Sequence, residues 1–348
     1  MKLQLRDRLP TVNKISYSIV VCTLDNTTGL KRFLKTLLRQ KQYPEDLIVV
    51  HGRPLGDIRD EILSCISGSG IRLVYVNCPP GLVYQRNVGL KLCESDVIIY
   101  FDDDVLLEDE YIENLLEVYA QNPDVVGAQG LITNEKHGFR FSAAFKKLFG
   151  IYTGIGGGGM HRSIDPVGQL SFPPSSDKFE TKYLSGCNMS YRISAVKDEK
   201  FDEKMHPYWW MDDVEFSFRA SQKGRMYQVN NSRLVHEGNS VNRKSFRRVW
   251  RMKIVNQFYF FKKHGSPAHL PFLYWAFFGN FFVAAFQVFK GYGFDGLKGL
   301  LEGLGEIAGF PYLQHSRGEW DVNNVRVSCA DTREVQSETV PENDLIPA

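Results

Sequence analysis

The chain has 348 residues, of which 43% are hydrophobic and 24% are charged. This composition is typical of a globular protein with a substantial core, and it excludes global disorder. The 42 basic and 40 acidic residues leave a formal net charge of +2, which excludes a protein that binds nucleic acid through bulk charge.

Cysteine usage favours a reduced, cytosolic setting. The six cysteines include no CxxC pair, and a chain of this length does not need disulfides to stabilise its core. A thiolate zinc site is therefore not expected. Residues 1–14 contain charges and a proline but no apolar stretch of signal-peptide length, so we expect no export signal at this end.

Strand-like and helix-like patterns alternate along the first half of the chain. Short apolar runs of the buried-strand type occupy residues 17–23, 46–51, 71–76 and 97–101. Helical periodicity occupies residues 30–42, 58–66, 83–93 and 108–121. This alternation predicts an α/β fold with a mostly parallel sheet and helices on both faces. Ligands bind at the C-terminal ends of such strands, so functional residues are expected just after Thr23, His51 and Phe101.

The segment 136–182 departs from this pattern. It contains glycines at 156–159 and several prolines, and its periodicity is weak. Loops of this length in compact domains are functional or disordered, and a tolerated insertion is an equal alternative. Regular patterning resumes at 183–191 and continues into a helix that begins near Asp213.

Three consecutive aspartates follow the apolar run VIIYF: Asp102, Asp103 and Asp104. In an extended chain Asp102 and Asp104 lie on one side and Asp103 on the other. Two carboxylates on one side of a strand end suit a hard divalent cation such as Mg²⁺ or Mn²⁺, which could hold a diphosphate and neutralise a leaving group. The alternative is a solvated acidic turn that caps the next helix.

A second acidic cluster lies in the run YWWMDDVEFSFR. Asp212 and Asp213 stand at the start of the predicted helix, where the helix dipole favours negative charge, so capping explains one of the acids. Asp212, Asp213 and Glu215 together, behind two tryptophans, indicate a positioned carboxylate that acts as a general base. His236 ends a later apolar run; a lone histidine is more often structural, and only the two acidic clusters favour a functional role for it.

Six short motifs, in order, resemble those of the inverting family 2 glycosyltransferases, which have the GT-A nucleotide-sugar-binding fold. The motifs are YSIVVCTLDN, LVYQRNVGL, YFDDDV, LSGCNMSYR, MDDVEFSFR and VHEG. Each motif is weak by itself, whereas all six in the family's order are specific. The resemblance covers the chain from Tyr17 to Gly238.

The resemblance implies a role for each matching position. Donor binding is implied for Thr23, Asp25, His51, Arg86, Asp102 and Asp103. Metal ligation is implied for Asp104 and His236, and Asp102 would touch the ribose or the metal. Asp213 would be the base, with Asp212 as the alternative, and Glu215 would orient the acceptor or the base. His51 stands where the family usually has Asp, so uracil, thymine and guanine all stay open as the donor base.

The implied reaction is a metal-dependent transfer of a sugar, of the hexosyltransferase type, from a nucleotide-diphospho-sugar to an acceptor hydroxyl. A single displacement would invert the anomeric carbon. The expected acceptor is a lipid-linked sugar or a polysaccharide in surface glycan biosynthesis. A nucleotidyltransferase of similar fold is disfavoured because the first strand lacks a Gly-rich phosphate loop. A non-catalytic membrane-associated scaffold is disfavoured because both acidic clusters and His236 are intact.

The C-terminal third contains two membrane signals. Residues 242–253 carry six basic residues and no acid, with aromatic residues between them. Residues 272–289 carry no charge and reach the threshold length of a spanning helix. This run spans a bilayer, lies in its interface or packs on the catalytic domain. We expect the protein at the cytoplasmic face of the cell membrane, with no nucleic-acid partner.

These patterns predict three regions. Residues 1–240 form the catalytic domain. Residues 241–313 form a basic and hydrophobic helical region that associates with the membrane. Residues 314–348 form a polar, disordered tail.

Overall fold

The computed structural model describes residues 15–24, 26–52, 57–134, 140–151, 158–166, 176–205, 211–238, 246–309 and 326–331. Asp25, assigned above to donor binding, lies outside the described residues. The same holds for Trp209 and Trp210 beside the second acidic cluster and for most of the predicted tail.

One ten-stranded sheet organises the described chain. Its strands are β1 (Tyr17–Thr23), β2 (Asp46–His51), β3 (Arg72–Asn77), β4 (Val97–Asp102), β5 (Val105–Leu107), β6 (Val125–Ile132), β7 (Lys178–Thr181), β8 (Met189–Arg192), β9 (Arg225–His236) and β10 (Arg326–Asp331). Their order across the sheet is β10-β3-β2-β1-β4-β8-β6-β9-β5, and β7 pairs with β9.

The sheet is mixed, and its parallel part is the part that the alternating pattern predicts. Strands β3, β2, β1 and β4 are parallel neighbours. Beyond β4, strand β8 is antiparallel to both β4 and β6, whereas β6 and β9 are parallel. The α/β fold with flanking helices is confirmed, and the antiparallel pairs beyond β4 join strands that are distant in the chain.

Ten α-helices accompany the sheet in the described residues. They are α1 (Thr27–Leu37), α2 (Arg59–Ile66), α3 (Leu82–Leu92), α4 (Tyr111–Gln121), α5 (Arg140–Leu148), α6 (Ile193–Val196), α7 (Asp212–Ala220), α8 (Phe246–His264), α9 (Leu270–Gln287) and α10 (Asp295–Ala308). A π-helical turn, Val288–Tyr292, follows α9.

Two apolar cores lie on opposite faces of the sheet because successive side chains of a strand alternate. On one face, Ile19 and Val21 of β1 pack in a cluster that includes residues of α1, α2 and α4. On the other face, Val20 packs in a cluster with Val88 of α3 and Phe216 of α7. Helix α7 therefore lies on the same side of the sheet as α3, which brings the second acidic cluster next to the Arg86 region.

The last three helices form a small bundle with its own apolar cluster. Its buried members are Trp250, Ile254, Phe258, Leu273, Phe277, Ala284 and Leu300. Glycines allow α10 to approach α8 closely, since a Cβ at Gly299 would overlap the backbone carbonyl of Arg247. The bundle also contacts the catalytic domain, because Phe260 of α8 packs with Met211 and Val214 at the start of α7.

One described segment lies within the predicted tail, residues 314–348. Residues 326–331 form β10, which pairs antiparallel with the edge strand β3, from Arg326 opposite Asn77 to Asp331 opposite Arg72. The physical reason is that an exposed sheet edge offers unpaired backbone groups, which a short extended segment can satisfy whatever its side chains are.

Candidate active site

The first acidic cluster lies where β1 and β4 end side by side. The two strands are parallel, and Cys22 is in register with Asp102. Asp103, on the opposite side from its neighbours, accepts hydrogen bonds from Oγ1 of Thr23 at 2.6 Å and from Nδ2 of Asn26 at 2.9 Å. Burial raises the pKa of Asp103 to about 7, although these two donors counteract it. Asp103 therefore holds the turn after β1 in place.

Asp102, Asp104 and His236 form a group with the donor atoms of a metal site. One ligand atom from each lies within 4.8 Å of the others. His236 Nε2 is 3.1 Å from Asp104 Oδ1 and 3.8 Å from Asp102 Oδ2. His236 reaches this position because β9 pairs with β5 directly after the aspartates, with Val105 opposite His236. Two carboxylates and an imidazole fit a divalent cation that accepts oxygen and nitrogen ligands, such as Mn²⁺.

The electrostatics of this group also favour a cation. The hydrogen bond to Asp104, together with contacts to Cys187 and Asp102, raises the pKa of His236 to about 11 despite its partial burial. The ring thus carries a proton that balances the carboxylates. His236 must lose this proton before it can bind a metal. A bound divalent cation would then supply the positive charge that balances the carboxylates.

Asp213 is the accessible carboxylate of the second cluster. It is partly buried in the first turn of α7, where its Oδ2 accepts from the Gly186 N–H at 2.8 Å and its Oδ1 accepts from the Val214 N–H at 2.8 Å. Burial and the neighbouring Asp212 raise its pKa to about 6, against the opposing effect of Arg86. A fixed carboxylate with a raised pKa has the properties of a general base.

Asp212 and Arg86 form a buried ion pair instead of facing an open site. Arg86 Nη1 donates to Asp212 Oδ2, both side chains are almost fully buried, and Arg86 Nη2 donates to the Gly186 carbonyl at 3.1 Å. The charges of Asp212 and Arg86 are therefore paired with each other inside the protein. The role of Asp212 as the alternative base and that of Arg86 in donor binding stay predictions.

The loop Gly186–Cys187 joins the two acidic clusters. The Gly186 N–H donates to Asp213, and the carbonyl of the next residue, Cys187, accepts from the Asp102 N–H at 3.2 Å. A Cβ at Gly186 would collide with Arg86 Nη2 and would lie 3.2 Å from Asp213 Oδ2. The sequence reasoning missed Gly186 as a site residue, and its only signal was the glycine in LSGCNMSYR.

Glu215 is held by partners inside the protein, and its role of orienting the acceptor or the base stays a prediction. Its carboxylate is fully buried and is bound by Arg219 Nε at 2.9 Å, Lys263 Nζ at 2.8 Å and His264 Nε2 at 2.9 Å. Burial raises its pKa, but these partners outweigh burial and lower the pKa to about 2. Glu215 is saturated by structural contacts that tie α7 to α8.

His51 is likewise engaged internally. Its Nε2 is 2.8 Å from the carbonyl of Leu24, which can only accept, so this nitrogen carries the proton. Its Nδ1 is then the acceptor for the Tyr75 hydroxyl at 2.7 Å. Both ring nitrogens of His51 therefore have partners inside the protein, and its assignment to donor binding stays a prediction.

Comparisons with known proteins show the family and the fold of the chain. A sequence profile described as Glycosyl transferase family 2 matches residues 18–199. The chain is similar to a glucosyl-dolichyl phosphate glucuronosyltransferase of Haloferax volcanii, with 31% identity over 127 residues, which are 33% of this chain and 37% of that protein. It is also similar to the uncharacterized glycosyltransferase YwdF of Bacillus subtilis, with 25% identity over 61% of this chain and 70% of that protein.

Two solved structures share the fold. One is GalNAc-T7 with UDP, GalNAc and Mn²⁺, with a TM-score of 0.55 and 14% identity over 83% of this chain and 54% of that chain. The other is the mannosyltransferase PcManGT from Pyrobaculum calidifontis in complex with GDP-Man and Mn²⁺. Its TM-score is 0.53, with 13% identity over 86% of this chain and 89% of that chain. At these identities the likeness shows the fold alone, and it confirms the expected GT-A architecture. The chain spans little more than a third of the first curated relative and about half of the first structure.

Proposed function

Because the chain belongs to glycosyltransferase family 2, we propose that it transfers a sugar from a nucleotide-diphospho-sugar to an acceptor hydroxyl with inversion at the anomeric carbon. One observation carries the proposal. Consecutive residues of one loop, Gly186 and Cys187, bond to Asp213 of the second acidic cluster and to Asp102 of the first. A base and a cation group fixed to the same loop are what a direct displacement at a diphosphate-linked carbon requires.

We assign the cation to Asp102, Asp104 and His236, whose ligand atoms lie within 4.8 Å of one another. A divalent ion, Mg²⁺ or Mn²⁺, would neutralise the leaving diphosphate when bound. The Mn²⁺ named in both structural relatives supports this assignment. The imidazole in the ligand set favours Mn²⁺ over Mg²⁺, because nitrogen ligands suit the transition metal better.

We assign the base to Asp213. Its two backbone hydrogen bonds hold the carboxylate still, and a pKa of about 6 leaves it ionised at neutral pH yet more basic than an ordinary aspartate. As the acceptor oxygen bonds to the anomeric carbon, its proton passes to Asp213. The bond from that carbon to the diphosphate oxygen breaks, and the electron pair leaves with the nucleoside diphosphate. Arg86 and Asp212 act as a buried support for this geometry.

The donor pocket is assigned to the turn after β1. Asp103 accepts hydrogen bonds from Thr23 at the end of β1 and from Asn26 just before α1, and so holds these two residues together. In this proposal Thr23 and Asp103 shape the pocket wall and Asp102 contacts the ribose or the cation. His51 supports the pocket indirectly, through its hydrogen bond to the backbone carbonyl of Leu24.

The acceptor is proposed to be lipid-linked or a glycan, with the enzyme at the cytoplasmic face of the membrane. The glucuronosyltransferase relative is named for a dolichyl phosphate substrate, which supports a lipid-linked acceptor. Residues Pro267–Tyr292 are apolar and long enough to cross a bilayer, with a mean hydropathy of 1.5 over the most apolar window. We therefore keep residues 1–240 as the proposed catalytic domain and 241–313 as the proposed membrane-associating region.

Donor binding tests the proposal. The experiment measures binding of UDP-, dTDP- and GDP-sugars to the purified full chain by calorimetry, with and without Mn²⁺. One donor class is expected to bind in a Mn²⁺-dependent manner, and Asp104→Ala is expected to weaken that binding about tenfold or more. The matched control is Asp109→Ala, which removes an exposed carboxylate that pairs with Arg39. Absence of nucleotide-sugar binding under every condition would contradict the proposal and favour the non-catalytic scaffold.

A further inference from the structure

Helix α9 directs polar side chains into the protein and large apolar side chains outward. Asn280 is fully buried, and its Oδ1 accepts from Lys253 Nζ at 3.1 Å. Gln287 Oε1 accepts from Trp250 Nε1 at 3.1 Å. The outward side chains are 37–59% exposed and comprise Tyr274, Trp275, Phe278, Phe281, Phe282 and Phe286. This is the reverse of a surface helix that faces water.

The apolar surface continues past both ends of this face. Phe289 is 87% exposed in the π-helical turn, and Tyr292 and Phe294 follow it. On the other side Leu148, at the end of α5, is exposed next to Trp275, whose Nε1 donates to the Leu148 carbonyl at 3.0 Å. A continuous patch of this kind, rich in aromatic residues, indicates a surface that is covered in the working protein.

Basic side chains border the aromatic face. The Arg162 guanidinium lies 5.4 Å from the centroid of the Phe272 ring, and the Lys290 ammonium lies 5.0 Å from that of Phe286. A cavity of about 190 Å³ beside Trp275 is lined by Lys147, His161 and Arg162 among others. Aromatic residues with a cationic border match the headgroup region of an anionic bilayer, where tryptophan and lysine are enriched.

The neighbours of α9 decide its orientation. At about 1.5 Å per residue its 18 residues extend for about 27 Å, which is close to the thickness of a hydrocarbon layer. However, Lys253 of α8 contacts the middle of α9, and the ion pairs Arg247–Glu302 and Arg251–Glu306 join α8 to α10. A spanning α9 would carry these charges into hydrocarbon at about 3 kcal/mol each, whereas a helix in the plane immerses only its outward face.

We propose that the outward face of α9 is a docking surface for an anionic phospholipid bilayer, with the helix parallel to the membrane plane. Lipid phosphates bind in the cavity at Lys147 and Arg162, and the aromatic side chains enter the acyl boundary. The surface deepens the membrane part of the proposed function and rests on it for its cellular setting. It is independent of sugar transfer, because none of the proposed site residues belongs to it.

Vesicle flotation of the full chain tests the surface. Wild type is expected to bind vesicles of phosphatidylcholine with phosphatidylglycerol more tightly than vesicles of phosphatidylcholine alone. Phe278→Glu with Phe282→Glu is expected to reduce binding about tenfold or more. The control is Ser64→Glu with Ser67→Glu, which adds the same charge at exposed positions of the catalytic domain and is expected to leave binding unchanged. Equal loss in both double variants would overturn the proposal.

The basic border and the orientation have separate tests. Lys147→Gln with Arg162→Gln is expected to abolish the preference for anionic vesicles while leaving weak binding to neutral ones. Quenching by lipids brominated near the headgroup or near the bilayer centre then compares Trp275 with a tryptophan at Phe282→Trp, about 10 Å further along the helix. Equal, shallow depth is expected for the two positions. A deeper position for residue 282 would show a spanning helix and overturn the orientation.

Two further readouts separate this inference from the proposed enzyme. The double variant Phe278→Glu with Phe282→Glu is expected to bind nucleotide-sugars as wild type does. If the wild-type protein binds vesicles but no nucleotide-sugar, only the proposed enzymatic function is refuted. Light scattering without lipid is expected to give the same mass for wild type and this variant. A wild-type dimer that the variant dissociates, with vesicle binding unchanged, would assign the face to a second copy and overturn the docking proposal.

Discussion

Glu215 Oε1 lies 2.9 Å from Nε2 of His264, so the helix that carries Asp213 is bonded to the last residue of α8. Lys263 adds a second contact from α8 at 2.8 Å and also binds Asp202 at 2.6 Å. Helix α9 begins a few residues after His264. Glu215 therefore links helix α7, which carries the proposed base, to the C-terminal end of α8.

Substitution of Glu215 tests this connection through stability. Glu215→Gln is expected to lower the free energy of unfolding at pH 7 by about 3 kcal/mol, because it removes the buried negative charge that Arg219 and Lys263 pair with. The pKa of Glu215 falls from 4.5 to about 2 on folding, so its stabilisation is complete above pH 4.5 and is lost as the pH falls toward 2. Urea unfolding at pH 7 and pH 3 measures the effect.

A control carboxylate gives the comparison for this measurement. Glu113 pairs with Lys41 at 2.9 Å on the exposed surface of α4. Glu113→Gln is expected to cost less than about 1 kcal/mol at either pH. A loss for Glu215→Gln that is the same at pH 7 and pH 3 would contradict an ionised structural role.

Asp213→Asn is expected to reduce turnover by about 10²–10⁴-fold, since an amide cannot accept the acceptor proton. Donor affinity and stability should change little, because the amide oxygen can still accept one backbone hydrogen bond. Asp212→Asn provides the contrast, because it leaves the buried Arg86 guanidinium without its charged partner and should destabilise the fold by about 3 kcal/mol. Turnover, donor calorimetry and thermal unfolding of both variants distinguish a catalytic base from a structural carboxylate. Retained turnover in Asp213→Asn would show that Asp213 is not the base.

The pH dependence of transfer is expected to follow Asp213. Its pKa is raised to about 6 by burial and by Asp212, so kcat/KM should fall about tenfold per pH unit below pH 6. Because the protonated carboxyl cannot act as a base, kcat/KM decreases as the pH is lowered through this pKa. Initial rates between pH 4.5 and 8 at saturating cation measure it. Rates that stay level down to pH 4.5, as an ordinary aspartate with a pKa of 3.8 would give, would argue against a buried base.

Gly186→Ala is expected to reduce turnover about 100-fold by disturbing Arg86 and the bond to Asp213. The cause is steric, because the new Cβ would collide with Arg86 Nη2 and crowd Asp213 Oδ2. Gly305→Ala on α10 is the matched control, since a Cβ there meets nothing within 4 Å. Turnover rates and unfolding curves of both variants provide the measurement. Normal turnover in Gly186→Ala would mean that the loop accommodates the Cβ without displacing Asp213, which would contradict the prediction.

The alternation of apolar periods determined the α/β order of the first half of the chain, because burial of one face imposes period 2 on a strand and period 3.6 on a helix. The same strand period predicts that Asp102 and Asp104 lie on one side of the strand end. From the sequence, only the order of the motifs linked His236 to these aspartates. The β5–β9 pairing that brings His236 next to them joins segments that are distant in the chain.

The tertiary structure decided which acids are available and which are structural. Asp212 and Asp213 are neighbours in the sequence, yet only Asp212 meets Arg86, which lies 126 positions away. Glu215 and His51 contact partners on other elements, His264 of α8 and Tyr75 of β3, which their positions in the sequence do not indicate. The outward direction of the aromatic side chains of α9 was also hidden, because hydropathy does not reveal where Asn280 points.

By itself, then, the sequence determined the layered fold, the presence of two acidic clusters and an apolar C-terminal helix. These properties depend on residue type and spacing along one segment. The availability of each carboxylate, the link from α7 to α8 and the exposed face of α9 depend on contacts between segments far apart in the chain. Burial and pairing set the charge state and accessibility of a side chain, and both exist only once those segments have packed.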